Sequence, residues 1–355
     1  MSQVKKLDTG GSIFLLVRIG AVFLLFTVLI LVSGASPLAA VKAICWGIFG
    51  TANGIAEVFV KATPLIFLGL GIAITFRSGF FNLGAEGQFY MGALASTSVV
   101  FLLPEQLGSF RAVIAALAAF AAGGIWVLLP ALMKNYLGIS ETVNTIMFNY
   151  IATMFVGIAI RGILQEPGSS LPQTASLPGS VCLPVLLHPT RLHAGIILAV
   201  ASVALVWFLL NKTTFGFEMK MVGTSRRAAY VSGFPVNRTL VLSAIIGGGL
   251  SGLAGFNEVF GVQHRLLEGV SSGNGFIAIL VALLAGNQPV RVLIISILLA
   301  MLQVGTESMQ RSLGVPNAIV SIIIGFIVLM ILCGNLPAIW RELHPSEKKK
   351  EGLVQ

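Results

Sequence analysis

Apolar positions along this chain fall in unbroken runs rather than alternating with polar ones. The stretch IFLLVRIGAVFLLFTVLILV, from Ile13 to Val32, carries one charge and shows no period of two. A membrane-crossing helix needs about 20 such residues, whereas a membrane barrel would show alternating segments of about 10. Runs of this kind at 13–33, 58–76, 84–103, 111–133, 142–160, 192–210, 239–259, 275–286, 291–309 and 317–335 predict an all-α, polytopic bundle of about ten transmembrane helices. The eighth, NGFIAILVALLAG, is too short to cross alone. It reads as a half-helix or as the continuation of an ordered loop. The first run is too long for a signal-peptide core and reads as a retained helix.

Composition sharpens that picture. Of 355 residues, 56% are hydrophobic and 10% are charged, with a mean hydropathy of +0.95. A soluble domain would carry about 25% charge to cover its wet surface, far more than this chain has. Length alone would suggest two domains. The repeated spans argue instead for a single membrane domain over 1–340, with a polar, basic tail over 341–355. The net charge of +9 fits inward-facing loops better than a nucleic-acid surface. With the N-terminus inside, fifteen of the 22 Lys and Arg residues fall on that side, among them Arg77, Lys134, Arg226, Arg227, Arg238 and Arg291. Seven fall opposite: Lys42, Lys61, Arg111, Arg161, Arg191, Arg265 and Arg311. The asymmetry places both termini in the cytoplasm.

Two outward connections stand out. Residues 34–57 could lie as an interfacial helix. Residues 161–191 hold Pro167, Pro172, Pro178, Pro184 and Pro189, which favour turns over helix. The three cysteines have no metal or redox spacing, and the four histidines sit outside the runs or at their ends.

Four polar constellations interrupt the hydrocarbon. In RSGFFNLGAEGQ, 77–88, a glycine-punctuated turn leads to Asn82, Glu86 and Gln88. A carboxylate inside a span costs about 2.5 kcal/mol or more, so Glu86 needs a partner or water. It reads either as part of a hinge or polar plug beside a route through the membrane, or as an interfacial group paired with Arg77. In SETVNTIMFNY, 140–150, Ser140 and Glu141 suit a helix start, and Asn144, Thr145 and Asn149 follow at helical spacings. Those three either bond between helices or line a polar path. In GGGLSGLAGFNEVFG, 247–261, small-residue stripes permit close helix contact, and Glu258 ends the run as a solvated terminus or an outward docking point. Between 212 and 238 a basic, amphipathic segment holds Gly223, Arg226, Arg227, Ala228, Ala229, Gly233 and Pro235. A short helix broken by a glycine and then a proline either docks into a groove of a soluble partner or is an ordinary inward loop.

Other chemistries lack support. No Gly-Lys dipeptide occurs, so there is no Walker A phosphate loop, and there is no H-E-x-x-H. Few acidic residues lie deep in the runs, which argues against an ion-coupled relay.

The blocks PLIFLGLGIAITFRSGFFNLGAEGQFYMGAL, ETVNTIMFNYIA, VGTSRRAAYVSGFPVNR and SGLAGFNEVFG resemble the permease subunits of bacterial ABC importers. Within the branched-chain amino acid and ribose permease superfamily they are most similar to the nucleoside-type branch. The resemblance extends from about Pro64 to Leu336. It implies a four-part importer in the bacterial cytoplasmic (inner) membrane. Two permease subunits, often different chains, would form the pathway. Cytoplasmic ATPases would bind the ATP, leaving this chain without a cofactor or a catalytic residue. An extracytoplasmic binding protein, often a lipoprotein, would deliver the substrate. The segment 223–236 matches the family's coupling loop, and the FNLGAEGQ and NTIMFNY segments lie where such permeases line or shape the pathway. A simple sugar or a riboflavin-like compound is the alternative substrate, and an ion-coupled secondary transporter the alternative class.

Overall fold

The computed structural model describes residues 9–332. Its helices are α1 (Thr9–Val32), α2 (Pro37–Phe49), α3 (Ala52–Arg77), α4 (Ala85–Leu102), α5 (Phe110–Leu137), α6 (Glu141–Arg161) and α7 (Gly195–Lys212), then α8 (Thr214–Thr224), α9 (Arg226–Val231), α10 (Val236–Glu258), α11 (Asn274–Leu284), α12 (Pro289–Leu313) and α13 (Asn317–Leu332). A π-helical turn, Val259–Gln263, extends α10. Among the described residues, β-pairing is limited to two isolated bridges, Gln173 with Leu267 and Val185 with His193. The tail expected over 341–355 lies outside the described residues, as do positions 333–335 of the last run.

Each of the ten apolar runs coincides with a helix, but the helices are not equivalent. Among the described residues six are long and apolar enough to cross a membrane: α3, α5, α6, α7, α10 with its π turn, and α12. A seventh crossing is present if the pair Gly20–Val32 and Pro37–Phe49, bent by 105°, counts as one broken span. The 34–57 stretch does form a helix, α2, and it exposes Leu38, Trp46 and Phe49. Helix α4 is more polar because Glu86, Gln88, Ser96 and Thr97 lie along it, all buried. Helix α11 has 11 residues, about 16 Å at 1.5 Å per residue, and is the half-helix that its length predicts. The proline-rich stretch 162–194 forms no helix; its backbone bonds to the 260–266 segment, as in Leu177 N–H to His264 O (2.8 Å) and Leu183 N–H to Phe260 O (2.9 Å).

The described residues fall into two compact units. In the smaller, formed by the segments up to Gly50 and from Leu302, Ile30, Ala40, Met309, Val315 and Ile323 make the core. There Gly47 abuts Ser308, and Gly305 abuts Ile44 and Ile48.

In the larger unit, Thr51–Met301, α3 is buried along nearly its whole length and α10 lies beside it. The glycines of α10 explain that burial. A Cβ on Gly247 would strike the Gly71 carbonyl of α3. One on Gly248 would strike the Gly123 carbonyl of α5, and one on Gly252 the Ala119 carbonyl of α5. Gly92 of α4 meets Gly252 itself, and Gly255 meets the Phe89 carbonyl. Three helices thus approach α10 backbone to backbone. Hydrocarbon offers no hydrophobic drive between helices, so this contact is what holds them.

Gly252→Val should therefore sharply reduce the monodisperse, detergent-extracted fraction on size-exclusion chromatography. Gly179→Val, at a glycine with no atom within 4 Å of its Cβ position, should leave it unchanged. Equal behaviour of the two variants would refute the role given to α10.

Candidate functional site

The turn between α3 and α4 gathers most of the polar residues singled out in the sequence. Helix α3 stops after Arg77, and Gly79 reverses the chain at φ +77°, a left-handed conformation that favours glycine. The Asn82 side chain then accepts from the Gly84 amide at 2.9 Å and exchanges two bonds with Gln88 (3.1 and 2.9 Å). Helix α6 closes the turn from the other side. The Thr145 hydroxyl accepts from the Leu83 amide at 3.2 Å and donates to the Glu141 carbonyl at 2.7 Å. Asn149 accepts from the Gly87 amide at 2.7 Å and donates to the Leu83 carbonyl at 2.9 Å. Asn82, Gln88, Thr145 and Asn149 are all buried.

Thr145 and Asn149 lie about 6 and 12 Å along α6 from Glu141. At such depth backbone groups outside helices must find partners within the protein. These side chains supply them for Leu83, Gly84 and Gly87, and leave their own amides satisfied. Asn144, also buried, faces the other neighbour and donates to the Met133 sulfur at 3.3 Å. Glu141 pairs with Lys134 at the start of α6.

Glu86 differs from the simpler expectation. Its partner is not Arg77: it accepts from the Ser271 hydroxyl at 2.8 Å and the Gly275 amide at 2.7 Å. Gly275 is in the first turn of α11, where unbonded amides and the helix dipole favour a carboxylate. A Cβ on Gly275 would overlap Glu86, so only glycine fits there. The sequence reading missed Ser271 and Gly275, although SSGNG ahead of an apolar run is a helix-start signal. Residues 269–273, GVSSG, also carry the G-x-S-x-G spacing of a nucleophile elbow. Here the serine lies in a loop and its hydroxyl is committed to Glu86.

The second cluster is the 212–238 segment. Thr213 caps α8 by accepting from Gly216 N–H (3.2 Å), and Ser225 caps α9 by accepting from Ala228 N–H (3.3 Å). Gly233, at φ +83°, ends α9, and Pro235 precedes α10. Ala229 is buried and Phe234 meets Phe217 edge-on, with centroids 5.9 Å apart, which pins one side of the segment. Arg227, Ala228, Gly233 and Pro235 are exposed, and Tyr230 and Val231 are 76% and 80% exposed. Arg226 is half-buried, and its Nη2 has no hydrogen-bond partner. The two clusters meet at Gly223. Its Cβ position is occupied by the Arg77 carbonyl, and a Cβ on Gly79 would lie 3.3 Å from the Gly223 Cα.

At the opposite end of this unit, ion pairs tie loops to helices: Glu57 with Arg191, Arg161 with Glu268, and Arg265 with Glu166 at 3.5 Å. Glu258, half-buried, accepts from Gln263 at 3.0 Å. His193 is buried between Gly195 and Gly261 and accepts from the Gly195 amide at 3.1 Å. Burial, then the nearby His264, lowers its pKa to about 4, so it is neutral at pH 7.

Among the described residues no cluster of His, Cys, Asp and Glu could hold a metal ion. Residues 54–332 match the family described as the branched-chain amino acid transport system permease component. The chain belongs to this family. It is a multi-pass membrane protein and a permease component. The chain is 36% identical over 309 residues to the guanosine ABC transporter permease protein NupP of Bacillus subtilis, covering 85% of this chain and 88% of that one. It is 33% identical to the glucose ABC transporter permease protein TsgB13 of Haloferax volcanii, with 79% and 76% covered. It is 29% identical to the nucleoside ABC transporter permease protein NupB of Lactococcus lactis, with 87% of each chain covered. No solved structure matches the chain significantly.

Asn149→Ala would leave the Gly87 amide and the Leu83 carbonyl without their partner. An unsatisfied buried group costs about 1–3 kcal/mol. The unfolding midpoint of the detergent-solubilised protein should fall by several degrees, whereas Tyr150→Phe, one residue on, should leave it in place. An unchanged midpoint in Asn149→Ala would contradict the assignment.

Proposed function

We propose that this chain is one permease subunit of an ATP-driven importer of nucleosides in the bacterial cytoplasmic membrane. Both termini face the cytoplasm, and the second permease is a different chain. The 36% identity to a guanosine permease, over most of both chains, carries the nucleoside reading. That same organism has a second guanosine permease, NupQ, 32% identical over 64% of this chain, which favours a pair of different subunits. ATP is bound by a partner ATPase, and an extracytoplasmic binding protein, anchored by lipid, supplies the substrate. The basic residues support the orientation: Arg77, Arg226 and Arg227 lie at one end of the larger unit, and the Arg161, Arg191 and Arg265 ion pairs at the other.

In this reading α9 seats in the ATPase through Arg226, Arg227, Ala228 and the turn at Gly233 and Pro235, with Ala229 holding it to its own subunit. ATP binding moves α9. The displacement reaches the 78–84 turn through the Gly223–Arg77 contact, then α6 through Thr145 and Asn149, and α11 through Glu86. Asn82, Glu86, Gln88, Asn144, Thr145 and Asn149 act as pathway-shaping residues by keeping these elements in register. Rigid-body rocking of bundles then exposes the pathway to one side at a time.

A sugar is the second reading, favoured by the glucose permease at 33% identity; a riboflavin-like compound is a third, from a probable riboflavin import permease at 27%. Guanosine uptake into vesicles carrying the whole complex should require internal ATP, survive collapse of ion gradients and resist excess glucose. Uptake that ignores ATP, or that glucose abolishes, would overturn the proposal. Arg227→Glu with Gly233→Glu should abolish co-purification of the ATPase while membrane insertion persists. Gly223→Val should retain the ATPase but lose stimulation of hydrolysis by loaded binding protein. A doubly substituted chain that still holds the ATPase at normal levels would refute the docking role of α9.

A further inference from the structure

Helix α6 is fixed in rotation on two sides. Asn149 and Thr145 tie it to the 82–87 turn, and the Trp126 indole of α5 donates to the Phe148 carbonyl at 3.3 Å and meets the Phe148 and Phe155 rings edge-on. The face left over carries Met147, Tyr150 and Met154, which are 60%, 64% and 67% exposed. They are spaced three and four residues apart and form one stripe.

Tyr150 sets this face apart from the other bare surfaces of the larger unit. It is about 13 Å along α6 from Glu141, near the middle of a 21-residue span whose ends are marked by the Lys134–Glu141 and Arg161–Glu268 pairs. Its hydroxyl has no hydrogen-bond partner among the described residues. On α5 and α7 the exposed mid-helix side chains are hydrocarbon, including Leu117, Ile125, Val200 and Leu205. Their exposed polar aromatics, Tyr136 and Trp207, lie towards the ends, and Trp126 of α5 is half-buried with its N–H bonded to the Phe148 carbonyl. Aromatics with a polar tip belong at the edges of a bilayer, and an unpaired hydroxyl in hydrocarbon is costly. A mid-span phenol on an outward face therefore needs water or a polar ligand.

We infer that this α6 stripe faces the water-filled translocation pathway and that Tyr150, flanked by Met147 and Met154, is the platform on which a purine-type nucleoside rests during passage. The inference rests on the importer reading and deepens it. A phenol ring offers a flat face to a planar base and a hydroxyl to its edge or to the ribose, and methionines adapt to an apolar surface without a fixed shape. Such contact is weak, which suits a site that must release its ligand. The pathway residues singled out by polarity, Asn144, Thr145 and Asn149, point into the protein and set the angle of this face.

The test uses the assembled importer in vesicles, with Cys45, Cys182 and Cys333 replaced by serine. ATP-driven guanosine uptake by this parent is measured first, and its failure refutes the importer reading. In a working parent, Tyr150→Cys and Met154→Cys should react with a hydrophilic methanethiosulfonate reagent, and guanosine with its loaded binding protein should slow that reaction at least threefold. Leu205→Cys, on the hydrocarbon face of α7, should stay inert. Tyr150→Ala should lower saturating guanosine uptake at least tenfold with the ATPase retained at normal levels, and Tyr150→Phe should keep most of it. The inference is overturned if Tyr150→Cys is as inert as Leu205→Cys and α6 meets lipid, if it is inert but cross-links to the second permease across a dry interface, or if it reacts without protection by substrate.

Discussion

Helix α10 presents no side chain at Gly247, Gly248, Gly252 and Gly255, and the backbones of α3, α4 and α5 occupy the space. In hydrocarbon this close approach replaces the hydrophobic effect as the force between helices, since dispersion contacts grow only as surfaces close. It also places α3 where almost every side chain is buried, and so fixes the end of α3 from which the 78–84 turn departs. A bulky residue at any of these glycines would push a helix out and displace the turn with it.

The turn itself is irregular backbone inside a membrane domain, tolerated only because protein groups satisfy it. Asn82, Thr145 and Asn149 do this by direct bonds to Gly84, Leu83 and Gly87. Glu86 is handled differently: a hydroxyl and a helix-start amide share the cost of one carboxylate. The consequence is mechanical. One short segment contacts α6, α11 and, through Gly79 and Gly223, the exposed α8–α9 region. Contiguous contact of this kind provides a route, and a two-state rearrangement along it is what the coupling variants probe.

Much of this was legible in the sequence because the bilayer imposes a simple length rule. The ten apolar runs coincide with ten helices, and the short eighth run becomes the half-helix α11. The 223–235 segment announced its helix and break through Ser225, Gly233 and Pro235, whose capping and turn chemistry is local. What stayed hidden depends on rotation about helix axes. Residues 144, 145 and 149 share a neighbourhood with Tyr150 in sequence, yet tertiary bonds turn the first three inward and leave the tyrosine outside. Of the two readings open for Glu86, the pairing with Arg77 fails for a related reason. Arg77 is close in sequence, but Ser271 and Gly275 are close in space, and no local pattern joins positions 185 residues apart.

The central claim is that this permease works as part of an ATP-driven assembly engaged through α9. Gentle affinity purification of the tagged chain from its native membrane, with mass spectrometry of what is retained, tests it most directly. The account predicts a Walker-A-containing ATPase and a second, different permease in the eluate. A lone polypeptide that is active in uptake without ATP would contradict it.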